Sequence, residues 1–216
     1  MMNWRRLIGL LFLILIAFTA GCAAHVEHES SSAKANIQEI VATVNGEPIR
    51  YGELEILMLR QRSDVIQYFY DKYNAEDSTQ YWTTAFGKER PIDRLKSAAL
   101  AEAKKIKIQQ IIARNEGVVQ RIDYSDFRND WIQENDRRKR AAAQKQMIYG
   151  PLQYDENTYY EYLFSNMVLQ VKEKQRKHAN ISVKEGERLY GELLERKLIA
   201  ASEVIQRDVY DRILNP

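Results

Sequence analysis

The chain has 216 residues, a formal charge of +2, 45% hydrophobic and 29% charged side chains, nine glycines, four prolines and one cysteine. Setting aside residues 1–21, which hold Arg5 and Arg6 and no acid, leaves 30 basic and 30 acidic side chains, a balance that excludes a nucleic-acid binder built on a concentrated basic surface. A lone cysteine excludes an intramolecular disulfide, and so few glycines and prolines permit long helices after residue 50.

Residues 1–6 form a short basic segment, and 7–18 are apolar throughout apart from Gly9. That length suits a signal-peptide core and is short for a membrane span. Thr19-Ala20-Gly21 places small residues directly before Cys22, which resembles a bacterial lipobox with Thr19 where Leu is usual. The resemblance implies lipid attachment at Cys22, cleavage of 1–21 and an extracytoplasmic chain held at the outer face of a bacterial cell membrane. Two acyl chains anchor stably, since each buried methylene contributes about 0.8 kcal/mol. Residues 22–37 are polar and small, with no apolar period, and read as a flexible tether before a body at 38–216. The tether holds His25, Glu27, His28 and Glu29, but a flexible segment does not fix ligands, and no metal is expected there.

The body opens on Ile40–Leu59. Asn45-Gly46 is a strong signal for a two-residue type I′ turn. Pairing Val44 with Glu47, Ala42 with Ile49 and Ile40 with Tyr51 places Ile40, Ala42, Val44, Ile49 and Tyr51 on one side of a ribbon. Pro48 confines its strand to an edge. Leu54, Leu57 and Met58 then show helical spacing. The run VATVNGEPIRYGELE, through Val41, Val44, Asn45, Gly46, Pro48, Ile49, Glu53 and Leu54, resembles the start of the SurA/PrsA family of extracytoplasmic chaperones. Arg50 stands where that family usually has a Ser or Thr helix cap, while Glu53 keeps the capping-box position. The resemblance spans about residues 38–190. It implies a mainly α fold, with a short N-terminal β-hairpin docked on a multi-helix SurA N-type chaperone domain.

Helical spacing continues to about residue 73, with Ile56, Leu59, Val65, Ile66, Phe69 and Tyr70 as core candidates and Ser63-Asp64 as the start of a second short helix. A polar loop at 74–79 precedes Tyr81, Trp82 and Phe86, read first as packing and second as a contact for a bound chain. Pro91 begins a long helix with Ile92, Leu95, Ala99, Ala103 and Ile106 on one face and Gly117 as its left-handed stop. Ser125 is read as the cap of the next helix, anchored by Phe127 and Trp131, with ENDRRKR as a solvated face. After Tyr149-Gly150-Pro151, Asp155 caps a helix whose Tyr160, Phe164, Met167 and Val171 form a core stripe. Tyr159 and Tyr162 point elsewhere, as exposed amphipathic contacts. Ser182 and Glu185 open a final helix carrying Leu189, Leu193 or Leu194, Leu198 and Ile199, and the place of the last thirty residues stays open.

No nucleophile elbow, phosphate-binding loop or dinucleotide fingerprint is present, and His178 stands alone near a helix end. A parvulin isomerase, common in the resembled family, does not fit in the 34 residues after Ser182. The expectation is a non-enzyme without cofactor: a membrane-anchored chaperone module that transiently binds unfolded exported polypeptides, with Trp82, Tyr149, Tyr159 and Tyr162 as contacts. The alternative is an adaptor lipoprotein with one specific partner in a cell-envelope complex.

Overall fold

Asn45 and Gly46 take φ of 52° and 82°, and this turn joins β1 (Ile40–Val44) to β2 (Glu47–Arg50). The computed structural model describes residues 36–76 and 78–216; the signal segment, Cys22 and the tether before residue 36 lie outside them. Val44 pairs with Glu47 and Ala42 with Ile49, but Ile40 pairs with Arg50 rather than Tyr51. The cause is a bulge at Val41, which places one extra residue in β1. Val41 turns into the core, Ile40 turns out, and Tyr51 opens a helix. Pro48 does lie on an edge, since the sheet order is β2-β1-β3, with β3 (Glu203–Ile205) antiparallel to β1. The last residues therefore close the sheet. Asn45 latches them, accepting from the Ser202 N–H at 2.9 Å through its side chain and donating its own N–H to Ser202 O at 2.9 Å.

One helix, α1 (Tyr51–Tyr73), runs unbroken through Ser63-Asp64. Leu54, Leu57, Met58, Val65 and Phe69 hold one buried face across that point, so continuous packing overrides the local start signal. Leu59 and Tyr70 fall on the outer face and are exposed. Asn74 ends the helix in the left-handed conformation. The aromatic loop beyond it is packed: Phe69 meets Tyr73, Tyr81 and Phe86. The hydroxyls of Tyr68 and Tyr73 and the Lys72 ammonium all donate to Glu89, with Lys72 foremost in holding that carboxyl down at about 2.

The second long helix, α2 (Pro91–Asn115), packs along α1 and buries Ile92, Leu95, Ala99, Ala103 and Ile106 as the spacing predicts. Gly117 (φ 66°) stops it, its N–H donating to Arg114 O and that of Val118 to Ala113 O. Then come α3 (Tyr124–Ala143), α4 (Glu156–Ala179), α5 (Val183–Ile199) and the single turn α6 (Arg207–Tyr210). Asp155 and Ser182 cap α4 and α5, accepting from the N–H groups of Thr158 and Glu185. Asp123, not Ser125, caps α3, because its carboxylate accepts from the Ser125 N–H. Within ENDRRKR, Arg138 is buried, drawn in by loop carbonyls. Leu194 packs inward from α5, leaving Leu189 and Ile199 exposed. Val209 and Ile213 complete the core from the C-terminal side, where Lys96 donates to Tyr210 O at 3.1 Å. The fold is mainly helical with a small three-stranded antiparallel sheet.

Candidate functional site

The end of α2, the connection 117–123, the first turns of α3 and the middle of α4 enclose a cleft of about 250 Å³. Val118, Ile122, Phe127, Phe164 and Met167 give it apolar walls. Its acidic rim is Asp123, Asp126 and Asp130, with the last two held by Arg121 at 3.0 and 3.2 Å. Glu53 and Tyr160 line it from the core side. Gln110 also contributes to the lining, and its Oε1 is buried without a donor from the described residues.

Glu53 is the chemically unusual member. Arg50 occupies the N-cap of α1 without capping it through its side chain, and the Glu53 side chain turns inward instead of back to the cap. There its Oε1 accepts from the Tyr160 hydroxyl at 2.8 Å, and its Oε2 lies 3.2 Å from the ammonium of fully buried Lys107. The Oε2 contact is ionic, since the ammonium lies off hydrogen-bonding alignment. Lys107 also donates to Ile122 O at 3.2 Å, so the same ammonium ties down the cleft wall. Burial, then the nearby Glu53 charge, pushes the Tyr160 phenol well above its ordinary range. Through Tyr160 and Lys107, Glu53 thus joins α1, α2 and α4. A buried pair of this kind costs much to desolvate and is retained only with close partners.

Two further contacts brace the mouth. The Arg50 guanidinium donates to both oxygens of Asp123, from Nε at 2.8 and 3.1 Å and from Nη2 at 2.9 Å. Its remaining arm donates to Gln38 O at 2.7 Å. The Tyr124 hydroxyl donates to Glu156, and its ring stacks on Phe127. Burial alone would raise the Asp123 carboxyl, but bonds from Arg50 and Ser125 outweigh it and hold the group at about 2. The folded value thus lies below an unfolded value of about 3.9. Its stabilising contribution is complete above about pH 5 and is lost as pH falls through 4 towards 2. Urea midpoints for Arg50→Ala are expected below those of the parent at pH 6, with the gap narrowing towards pH 2 to what the lost bond to Gln38 O contributes; a constant gap across that range would refute the assignment.

The four aromatic residues named from sequence do not form one surface. Trp82 is only 6% exposed and packs edge-on against Tyr81, with Arg62 over its ring. Tyr159 is 7% exposed, because Phe127 and Tyr154 close over it. Neither is an open contact: this corrects the exposure expected of Tyr159, while Trp82 takes the packing place read first for it and not the client contact read second. Tyr162 is exposed and stacks on Tyr154, and Tyr149 is exposed on the connection between α3 and α4. Cys22 and the histidines of the tether lie outside the described residues. Glu53, Lys107 and Gln110 escape a reading of sequence alone. Lys107 between Ile106 and Ile108 was the available signal, but only the packing of α4 shows that its ammonium stays inside. Among the described residues, no three metal-ligating side chains form a cluster, and no helix is long and apolar enough to cross a membrane. No family model, curated protein or solved structure matches the chain.

Proposed function

We propose that the chain is a membrane-anchored, non-catalytic chaperone module of the SurA/PrsA kind, holding unfolded exported polypeptides by seating their apolar side chains in the cleft beside Glu53 and Tyr160. The observation that carries this reading is the cleft itself: apolar walls and a rim of carboxylates at Asp123, Asp126 and Asp130. Such a surface takes an apolar side chain from water and offers the adjoining backbone N–H a partner, without selecting one sequence. Further support comes from the VNGEPI turn followed directly by a helix and from the lipobox-like residues before Cys22. Lipid at Cys22 would concentrate the module where exported chains emerge. Neither ATP nor a cofactor enters the mechanism, since release follows from weak binding and from folding of the client.

The test is aggregation of a reduced, denatured client followed by light scattering. The parent chain is expected to delay aggregation at near-stoichiometric ratios. Val119→Trp, which fills the cleft from a half-buried position, should weaken the delay several-fold while leaving the circular dichroism spectrum unchanged. A parent chain that does not delay aggregation overturns the reading. One stoichiometric partner recovered by crosslinking from Leu163 in the cleft would establish the adaptor instead.

A further inference from the structure

The connection between α3 and α4 is exposed and apolar, yet firmly held. Met147, Tyr149 and Leu152 are 78, 81 and 66% exposed within six residues of chain. Surfaces of soluble proteins scatter such side chains singly, and a group of them marks a contact. Their backbone is fixed from beneath. Arg138 donates to Tyr149 O at 3.0 Å and Pro151 O at 2.6 Å, lies over the Tyr154 ring at 4.4 Å, and is itself held by Glu134 at 2.8 Å. Asn135 pairs with both the N–H and the carbonyl of Tyr154, and the Trp131 indole donates to that same carbonyl. The backbone from Tyr149 to Tyr154 therefore has little conformational entropy left to lose on contact.

We propose that this loop is a lipid-surface contact, with Met147, Tyr149 and Leu152 entering the headgroup layer of an anionic membrane and Arg140 and Lys145 lying on its phosphates. The charge pattern selects that occupant. Residues 134–156 carry five basic and four acidic side chains, and the acids are engaged. Arg137, Arg138 and Lys139 hold Glu134 and Asp136, the first turn of α4 holds Asp155, and Tyr124 and Arg128 hold Glu156. Among the described residues Arg140 and Lys145, by contrast, pair with no carboxylate. Lys145 also occupies a left-handed position (φ 55°) that ends α3, where glycine is the residue of least strain. An apolar tip carrying a tyrosine beside basic residues matches the layered polarity of a bilayer surface. A protein interface needs about 800 Å² per partner, whereas three such side chains supply on the order of 500 Å². The contact is distinct from the cleft, and from Cys22, so each of the three readings can fail alone.

The test uses the full chain with Cys22→Ser, carrying one nitroxide on a cysteine placed at 147, 149 or 152. It is mixed with vesicles of phosphatidylcholine and phosphatidylglycerol in equal parts, or of phosphatidylcholine alone. Labels at Leu169 and Val204, two exposed apolar sites elsewhere, report a chain held at the vesicle by other means. Loop labels are expected to lose access to an aqueous nickel reagent several-fold and gain access to oxygen, only with the anionic vesicles, while the other labels stay wet. Arg140→Gln combined with Lys145→Gly should abolish that protection even though the glycine relieves backbone strain and favours a melting temperature about 2 °C higher. Loop labels as wet as those at Leu169 and Val204 overturn the proposal, as does protection retained in the double variant. Protection that appears only when envelope proteins replace the vesicles also overturns it, in favour of a protein partner.

Discussion

Lys107→Met is expected to destabilise the folded chain by about 3–5 kcal/mol, because it leaves the Glu53 carboxylate buried without its cation. The ammonium is fully buried and donates to Ile122 O, so its loss also frees the connection 117–123 that walls the cleft. Glu53→Gln alone leaves the ammonium unpaired and is expected to cost a similar amount, although Tyr160 keeps an acceptor. The two changes together should cost much less than their sum, since the double variant buries no charge. Urea denaturation of the four chains gives the coupling directly, and a value above about 2 kcal/mol is expected for contact at 3.2 Å. Near-additive losses would mean that the pair is solvated in the native state. Hydrogen exchange at 117–123 separates the two roles of Lys107. Faster exchange there in Lys107→Met than in Glu53→Gln would show that the ammonium, rather than the carboxylate, restrains the wall.

The second large effect is expected at Gly52. A Cβ on this residue would stand 2.5 Å from Cε1 and 2.6 Å from the hydroxyl oxygen of Tyr124, closer than real contacts allow. Tyr124 has little freedom to retreat, as its hydroxyl is bonded to Glu156 and its ring stacks on Phe127. Alanine is otherwise the better helix former by about 1 kcal/mol, so propensity and packing act in opposite directions here. Overpacking outweighs propensity, and Gly52→Ala is expected to lose about 1–3 kcal/mol. The sign should reverse in a Tyr124→Ala background, where the same substitution gains about 1 kcal/mol from propensity alone. Destabilisation that persists without the Tyr124 ring would place the cause in the backbone of β2 and α1 instead.

Gly52 and Glu53 also show where local reading stops. Both sit in the first turn of α1, where sequence rules assign a tolerated glycine and a capping carboxylate. The turn at Asn45-Gly46, the edge position of Pro48, the start of α2 at Pro91 and the caps at Asp155 and Ser182 were all legible, because each follows from the chemistry of one or two residues. The buried stripes of α2 and α4 were legible because periodicity alone defines a helix face. What escaped depends on partners distant in the chain. The bulge at Val41 accompanies a sheet completed by β3, more than 150 residues later. Arg50 serves Asp123 rather than its own helix, and Glu53 meets Lys107 and Tyr160 inside.

The aromatic residues divide on the same ground. Exposure at Tyr149 and Tyr162 against burial at Trp82 and Tyr159 is a property of neighbours, and composition carries no record of neighbours. By itself the sequence determined a mainly helical body, the hairpin turn, most helix ends and the charge balance, all of which arise from short-range sterics and spacing. Only the tertiary structure decided which polar side chains are paired in the interior, where the C-terminal strand closes, and that the cleft exists, because each is set by packing between elements.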